Sequence, residues 1–344
     1  MSDFTHRFVA DLGATLAAGG VVIGDRLGLY RAMGAGPSRP LDLARRTGTA
    51  PRYVEEWLRG QAAGGYVEYD AETGEYFLTA EQAAVLADPE GPADAPGAFR
   101  LALALLRSEP RIAEVFRTGA GVAWSEHDSQ VFDGYARLHR PSYEQCLVPS
   151  WLPALDGVVK KLTRGARVAD VACGQAAQTL LMARAFPRST FLALDLHEPS
   201  VARARAEVAE AGLGSRVRIE LRNAQELSGG PYDLVTVFDA LHGMGDPVGV
   251  ARHVAEQLAP DGTWMIVEPS AGASVAENLT PMGRVQYALS MFVCVPNALS
   301  QEGGYSLGAQ AGAEPIRRLV TAAGFSRFRL AATGPLSAVY EARP

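Results

Sequence analysis

The sequence predicts an α/β protein. A doubly wound, mostly parallel sheet with a C-terminal antiparallel strand pair should follow a smaller, mainly helical unit that ends in a hairpin. Three observations predict this. From Arg167 onward, short apolar runs alternate with amphipathic helical segments, the pattern of a parallel sheet covered on both faces. The last two runs, "RFRLAAT" and "LSAVYEAR", are separated by only a Gly334-Pro335 turn and must pair antiparallel. The first 95 residues read helix, turn, helix and hairpin, which together make a winged helix.

At 344 residues the chain is too long for one small core, and three sections are expected. Residues 1–95 form the winged helix, 96–165 a helical connector that covers a pocket, and 166–344 the sheet domain. A formal net charge of -6 argues against a general polyanion binder. The N-terminus "MSDFTHRFVADLG" lacks the basic start of a secretory signal, and no apolar run approaches the roughly 18 residues that span a bilayer. Cys146, Cys173 and Cys294 are too widely spaced for a metal site or a disulfide framework, and read as reduced thiols in a cytoplasmic protein. No metal is expected.

In the N-terminal section, one helix covers Leu41 to Arg46. Thr49 should cap the next, with Pro51 in its first turn. That helix repeats apolar residues at Tyr53, Val54, Trp57 and Leu58, and Gly64-Gly65 ends it. "YVEYD" and "EYFLT" then form the hairpin. "DPEGPADAPG" reads as a linker, and the helical connector after it carries Trp124, Phe132, Tyr135, Tyr143 and Trp151. Core packing explains such aromatics; the sharper reading is that Phe132, Tyr135 and Tyr143 line a pocket.

In the sheet domain the strands are "RVADVAC", "TFLALDL", "RVRIELR", "YDLVTVFDAL" and "GTWMIVEP", with helices between them. Ligands of such sheets bind beyond the carboxyl strand ends, where the strand order reverses. The first strand runs into Cys173-Gly174-Gln175-Ala176, where Gly174 lets the backbone approach a ligand. The second ends in Asp195, about 20 residues beyond that glycine, the usual offset for a carboxylate that takes ribose hydroxyls. Asn223 follows the third strand and Asp239 the fourth, so these groups should collect along one edge.

These features resemble the class I S-adenosylmethionine-dependent methyltransferases that carry an N-terminal winged-helix dimerisation domain, among them small-molecule O-methyltransferases. The resemblance covers nearly the whole chain. It is carried by "GDRLGLYRAM", "TAPRYVEEWLRGQAAGGYVEYD", "FDALHGMGDPVGVARHVAEQLAPDGTWMIVEP", "LSQEGGYSLGAQAG" and the final reversed hairpin. It implies a Rossmann-like seven-stranded sheet, a homodimer, S-adenosylmethionine as cofactor and S-adenosylhomocysteine as product. The family's first motif reads Asp170, Ala172, Gly174, Ala176. Asp170 is implied to hold water or the methionine ammonium, Asp195 the ribose, Asn223 and Ala224 the adenine, and Asp239 the methionine end; Leu196 joins Asp195 at the cofactor. His242 falls on the family's general base. The departures are Ala172 and Ala176 where glycines usually stand, Asn223 for an aspartate, and Gly243 for the acid that usually follows the histidine. The methyl of Ala176 is expected to point toward the cofactor's amino-acid moiety.

Chemically, transfer to a hydroxyl needs two aligned reactants and a base, and histidine suits that base because its usual pKa of about 6.5 lies near working pH. The bland alternative is a histidine that caps a turn. Glu268, at the fifth strand's end, orients a substrate or a histidine, or merely solvates the sheet. The insertion 270–304 should wall an acceptor pocket with Met282, Tyr287, Met291 and Phe292, which predicts an aromatic or polyketide-like small molecule; core packing is the plain alternative. One rival is a methyltransferase body repurposed for cyclisation or rearrangement. Another is a DNA-binding regulator, which the helix "PRYVEEWLRGQAAG" opposes: Arg52, Glu55, Glu56 and Arg59 sum to zero charge where phosphates demand a basic excess. No nucleic-acid or membrane partner is expected.

Overall fold

A computed structural model describes residues 2–88, 91–334 and 336–344. Part of the expected 88–97 linker and the proline of the Gly334-Pro335 turn lie outside the described residues. The chain divides into two compact units, one of residues 1–107 and 128–141, the other of 108–127 and 142–344. The segment read as a connector is therefore shared between them.

The first unit opens with a long helix, Asp3–Arg26, started by the Ser2 side chain. This helix corrects only the expectation about apolar runs: at 24 residues it is long and apolar enough, by length and composition, to cross a bilayer. Asp11 and the Gly19-Gly20 pair interrupt the run of apolar letters and hid it. Helices Leu29–Met33, Pro40–Thr47 and Pro51–Ala63 follow. Their core is Leu29, Tyr30, Met33, Leu43, Val54 and Leu58. Gly24 lets the first helix approach the Trp57 ring; a methyl group there would sit 2.5 Å from it. The Trp57 indole N–H donates to the Gly20 carbonyl at 2.8 Å. Thr49 is not the cap of its helix. Its hydroxyl pairs with that of Thr47 at 2.8 Å, and Ala50 takes the N-cap position with no side-chain bond, Pro51 tolerating the orphaned first turn. Tyr53 is exposed rather than part of the buried stripe. The wing is β1 (Glu68–Asp70) paired antiparallel with β2 (Glu75–Phe77), and a Thr79–Gln82 capping box starts the next helix.

The second unit contains β3 (Arg167–Val171), β4 (Thr190–Asp195), β5 (Val217–Leu221), β6 (Tyr232–Phe238), β7 (Leu258–Pro269), β8 (Arg327–Thr333) and β9 (Ser337–Arg343). They form one sheet in the order β5-β4-β3-β6-β7-β9-β8. The first five are parallel, while β9 runs antiparallel between β7 and β8, as the short connection required. Apolar layers cover both faces: Leu180, Met182 and Phe191 belong to one, Leu241, Val254 and Leu319 to the other. That double cover is why β6 reads as an almost unbroken apolar run. The order reverses between β3 and β6, which are paired Asp170 to Thr236, and this places the crevice above their carboxyl ends.

Candidate active site

The loop after β3 takes left-handed backbone at every second residue: Ala172 at φ 56°, Gly174 at 55° and Ala176 at 63°. Only Gly174 does so without steric cost. A side chain built on Gly174 would meet nothing within 4 Å, so the loop presents bare backbone to open space. Three bonds hold this conformation. Cys173 N–H donates to the Leu194 carbonyl (3.0 Å), Gly174 N–H to Asp195 Oδ2 (2.8 Å), and the Gln178 amide to the Cys173 carbonyl (3.1 Å).

The Ala176 methyl does not point where the sequence suggested. The residue is fully enclosed among Cys173, Leu180 and their neighbours in the core, so it removes no room from a ligand. Its cost is backbone strain alone. A left-handed alanine costs about 1–2 kcal/mol, against about 0.4–1 kcal/mol for the freedom a glycine loses on folding. Ala172→Gly, at a half-buried position, should therefore stabilise the protein by about 0.5–1 kcal/mol in urea unfolding. Ala176→Gly also forfeits a buried methyl worth about 0.8 kcal/mol, so its midpoint should barely move.

Asp170, fully buried on β3, accepts from the Thr179 hydroxyl and from that of Thr236 at 2.8 Å. Burial outweighs these bonds and pushes its pKa up to about 7. A carboxyl raised in the folded state binds its proton more tightly there than in the unfolded chain. Stability from this group is thus complete below its ordinary 3.8 and declines as pH climbs toward 7. Asp170→Asn should flatten that decline, by up to about 4 kcal/mol between pH 4 and 8, read from urea midpoints at each pH.

Asp195 ends β4. Its oxygens accept from the N–H groups of Gly174 and His197, each at 2.8 Å, which fixes the carboxylate on the rim and leaves lone pairs for further donors. Burial raises its pKa against those bonds. The next residue, Leu196, turns an apolar side chain to solvent. Asp195 pairs with Leu221 across the sheet, and Asn223 and Ala224 follow two and three residues beyond. The Asn223 side chain caps a short turn there, accepting from Gln225 N–H, while Ala224 is buried. Asp239, beyond β6, has φ 48° and accepts from the Tyr143 hydroxyl at 2.8 Å. Tyr143 is buried edge-on against Phe238 and Trp151, and burial together with Asp239 drives its phenol well above the usual range.

His242 lies on the turn Leu241–Gly243 that follows β6 and is buried. Its Nδ1 is 2.5 Å from Glu268 Oε2, and its Nε2 is 3.2 Å from Cys294 Sγ. Glu268, near the end of β7, also accepts from the Leu241 N–H at 2.9 Å. Burial works against a charged ring, yet Glu268 and then Cys294 overcome it and hold the His242 pKa well above its ordinary 6.5. The carboxylate beside this ring comes from β7 rather than from the position after the histidine, which is Gly243.

The remaining candidates are found on other elements. Phe132 and Tyr135 belong to the first unit, where Tyr135 stacks on His139. Met282 and Tyr287 sit exposed on the helix Pro281–Leu289, and Phe292 packs against Ile112, Val115 and Val122. The supports Thr179 and Thr236 and the contact of Cys294 with His242 were not foreseen. Cys294 is 52 residues from His242, and no local pattern connects them.

The residues present suit a nucleoside cofactor: open backbone at Gly174, a fixed carboxylate at Asp195, an exposed leucine beside it, and the Ala176 methyl enclosed in the core. Residues 169–264 match the family described as a methyltransferase domain, and residues 14–88 an Rv2258c-like winged HTH domain. The chain is 32% identical over 105 residues to trans-aconitate 2-methyltransferase of Deinococcus radiodurans, which covers 30% of this chain and 38% of that protein. It is 33% identical over 116 residues to nocamycin O-methyltransferase of Saccharothrix syringae, covering 33% and 41%. The match spans less than half the length of either curated relative. Human N-acetylserotonin methyltransferase, solved in complex with S-adenosylmethionine, superposes with a TM-score of 0.71 at 15% identity, over 100% of this chain and 98% of that one. At that identity the likeness is one of fold.

Proposed function

We propose that this chain, a winged helix joined to a methyltransferase domain, methylates a hydroxyl of a small molecule with S-adenosylmethionine as donor and His242 as general base. The observation that carries the reading is the buried His242–Glu268 pair, set just beyond the β6 strand end on the same carboxyl edge as Asp195 and the left-handed loop. The cofactor supplies a methyl carbon already activated by its sulfonium, so the chain needs to supply only binding, alignment and proton removal. Asp195 accepts the ribose hydroxyls, Leu196 and Ala224 offer apolar contact to the adenine with Asn223 at its edge, and Asp170, Ala172, Gly174 and Asp239 line the methionine end. His242 takes the acceptor's proton while Glu268 keeps the ring oriented and stabilises the imidazolium. The products are the methylated oxygen and S-adenosylhomocysteine.

The acceptor is read as an aromatic or polyketide-like secondary metabolite, on the aromatic content of the helical segments; one relative is named for O-methylation of nocamycin. Tyr143, Met282 and Tyr287, all in the unit that holds His242, are the residues proposed to touch it. Incubation with methyl-labelled S-adenosylmethionine and a panel of phenols and polyketides tests the reading. Label in an acceptor supports it; label in none, with the cofactor bound, favours a non-methylating reaction.

The protein is read as a cytoplasmic homodimer. The first helix exposes Phe4, Phe8, Leu12 and Leu16 at successive four-residue steps, an apolar stripe that suits the same stripe of a second copy. Replacing Leu12 and Leu16 together with glutamate should give monomers by sedimentation.

A further inference from the structure

His242 is held at both ring nitrogens, by groups from two different elements. Nδ1 faces Glu268, and Nε2 faces the thiol of Cys294, which closes the π-helical turn Ser290–Cys294. We propose that Cys294 is a positioning residue for His242: its thiol engages Nε2 in the resting site, and an acceptor hydroxyl reaches that nitrogen only by displacing the sulfur. The kinetic part of this rests on His242 being the base; the contact itself does not.

The chemistry of the two contacts decides which one yields. Glu268 carries a charge, sits 2.5 Å away and is fixed from behind by the Leu241 N–H. Charge-assisted bonds of that kind are about twice as strong as neutral ones. A thiol is a weak donor and a weak acceptor. An entering hydroxyl therefore competes with the sulfur and leaves the carboxylate in place. The ring ends with its Nδ1 proton toward Glu268 and Nε2 toward the acceptor.

The backbone fixes the contact. Asn297 and Gln301, on and just beyond the helix that follows Cys294, both donate to the Gly243 carbonyl, at 2.9 and 3.1 Å. Gly308 N–H donates to the His242 carbonyl, and Ser290 at the start of the π turn accepts from Ala309 N–H. The π turn matters because such turns are rare and cluster at functional sites. In a regular helix, one residue more or less rotates a side chain by about 100°, which would take the thiol off the ring.

The titratable groups around the ring are Glu268 on β7, Cys294 on the π turn, and two phenols that feel the Glu268 charge, Tyr143 and Tyr340. Asn297 and Gln301 bring no charge. Glu268 and Cys294 both favour the ring's proton, so removing the thiol deletes one of the two. The ring should then lose its proton at lower pH.

The experiment is an NMR titration of ring-labelled histidine in the full chain, with His242 assigned by its loss in His242→Gln. Cys294→Ala should move the His242 titration down by about one pH unit, a tenfold change in proton affinity. Cys294→Ser, which keeps a hydrogen-bonding atom but no ionisable sulfur, should restore only part of it. The pH limb of kcat/KM should move with the ring. A titration in Cys294→Ala that superimposes on the native curve overturns the proposal, and so does a pH limb that stays still while the ring moves. The titration needs no acceptor, so failure to find methyl transfer would reject the enzymatic reading and leave the contact to be judged alone.

Discussion

His242→Gln should lower kcat by about 10²–10⁴-fold, the usual worth of a positioned base, while calorimetric affinity for S-adenosylhomocysteine stays the same. Glutamine is the right replacement because its amide can still donate to Glu268, a carboxylate that is 2% exposed and expensive to leave alone. The native enzyme should also show the signature of a raised histidine. A ring whose pKa is raised keeps its proton to higher pH than an ordinary histidine, and while charged it takes none. Activity should therefore climb with pH through a limb on the alkaline side of 6.5, and that limb should vanish in the variant. A variant that keeps native kcat removes His242 from the chemistry and leaves it as a turn residue.

Asp195→Ala should weaken cofactor binding at least a hundredfold, read by the same calorimetry. Two ribose hydroxyls lose a charged acceptor, and bonds to charged groups are worth about 1.5–3 kcal/mol each. The loss also reaches the loop, because the Gly174 and His197 N–H groups donate to this carboxylate. The backbone that should approach the cofactor would lose its anchor together with the acceptor. Asp195→Asn keeps one oxygen and should recover part of the affinity; equal loss in both variants would assign the effect to charge alone.

The sheet was legible because its strands are buried on both faces and so read as apolar runs, and because a two-residue connection between the last runs left one way to pair them. The lone carboxylate of Asp195 was legible from its distance to Gly174. Other features depended on long-range packing. Thr49 has the chemistry of a cap, yet the N-cap position falls one residue later, at Ala50, and the helix begins at Pro51. The direction of the Ala176 methyl depends on which side of a left-handed turn faces the core, which no composition records. Glu268 and Cys294 meet His242 from 26 and 52 residues away, and only the strand order brings them there.

The central claim is that a nucleoside cofactor binds over the carboxyl edge at Gly174 and Asp195. Titration of S-adenosylhomocysteine into the intact protein tests it most directly. One saturable site that is lost in Asp195→Ala is the predicted result; absence of heat at millimolar ligand would contradict it.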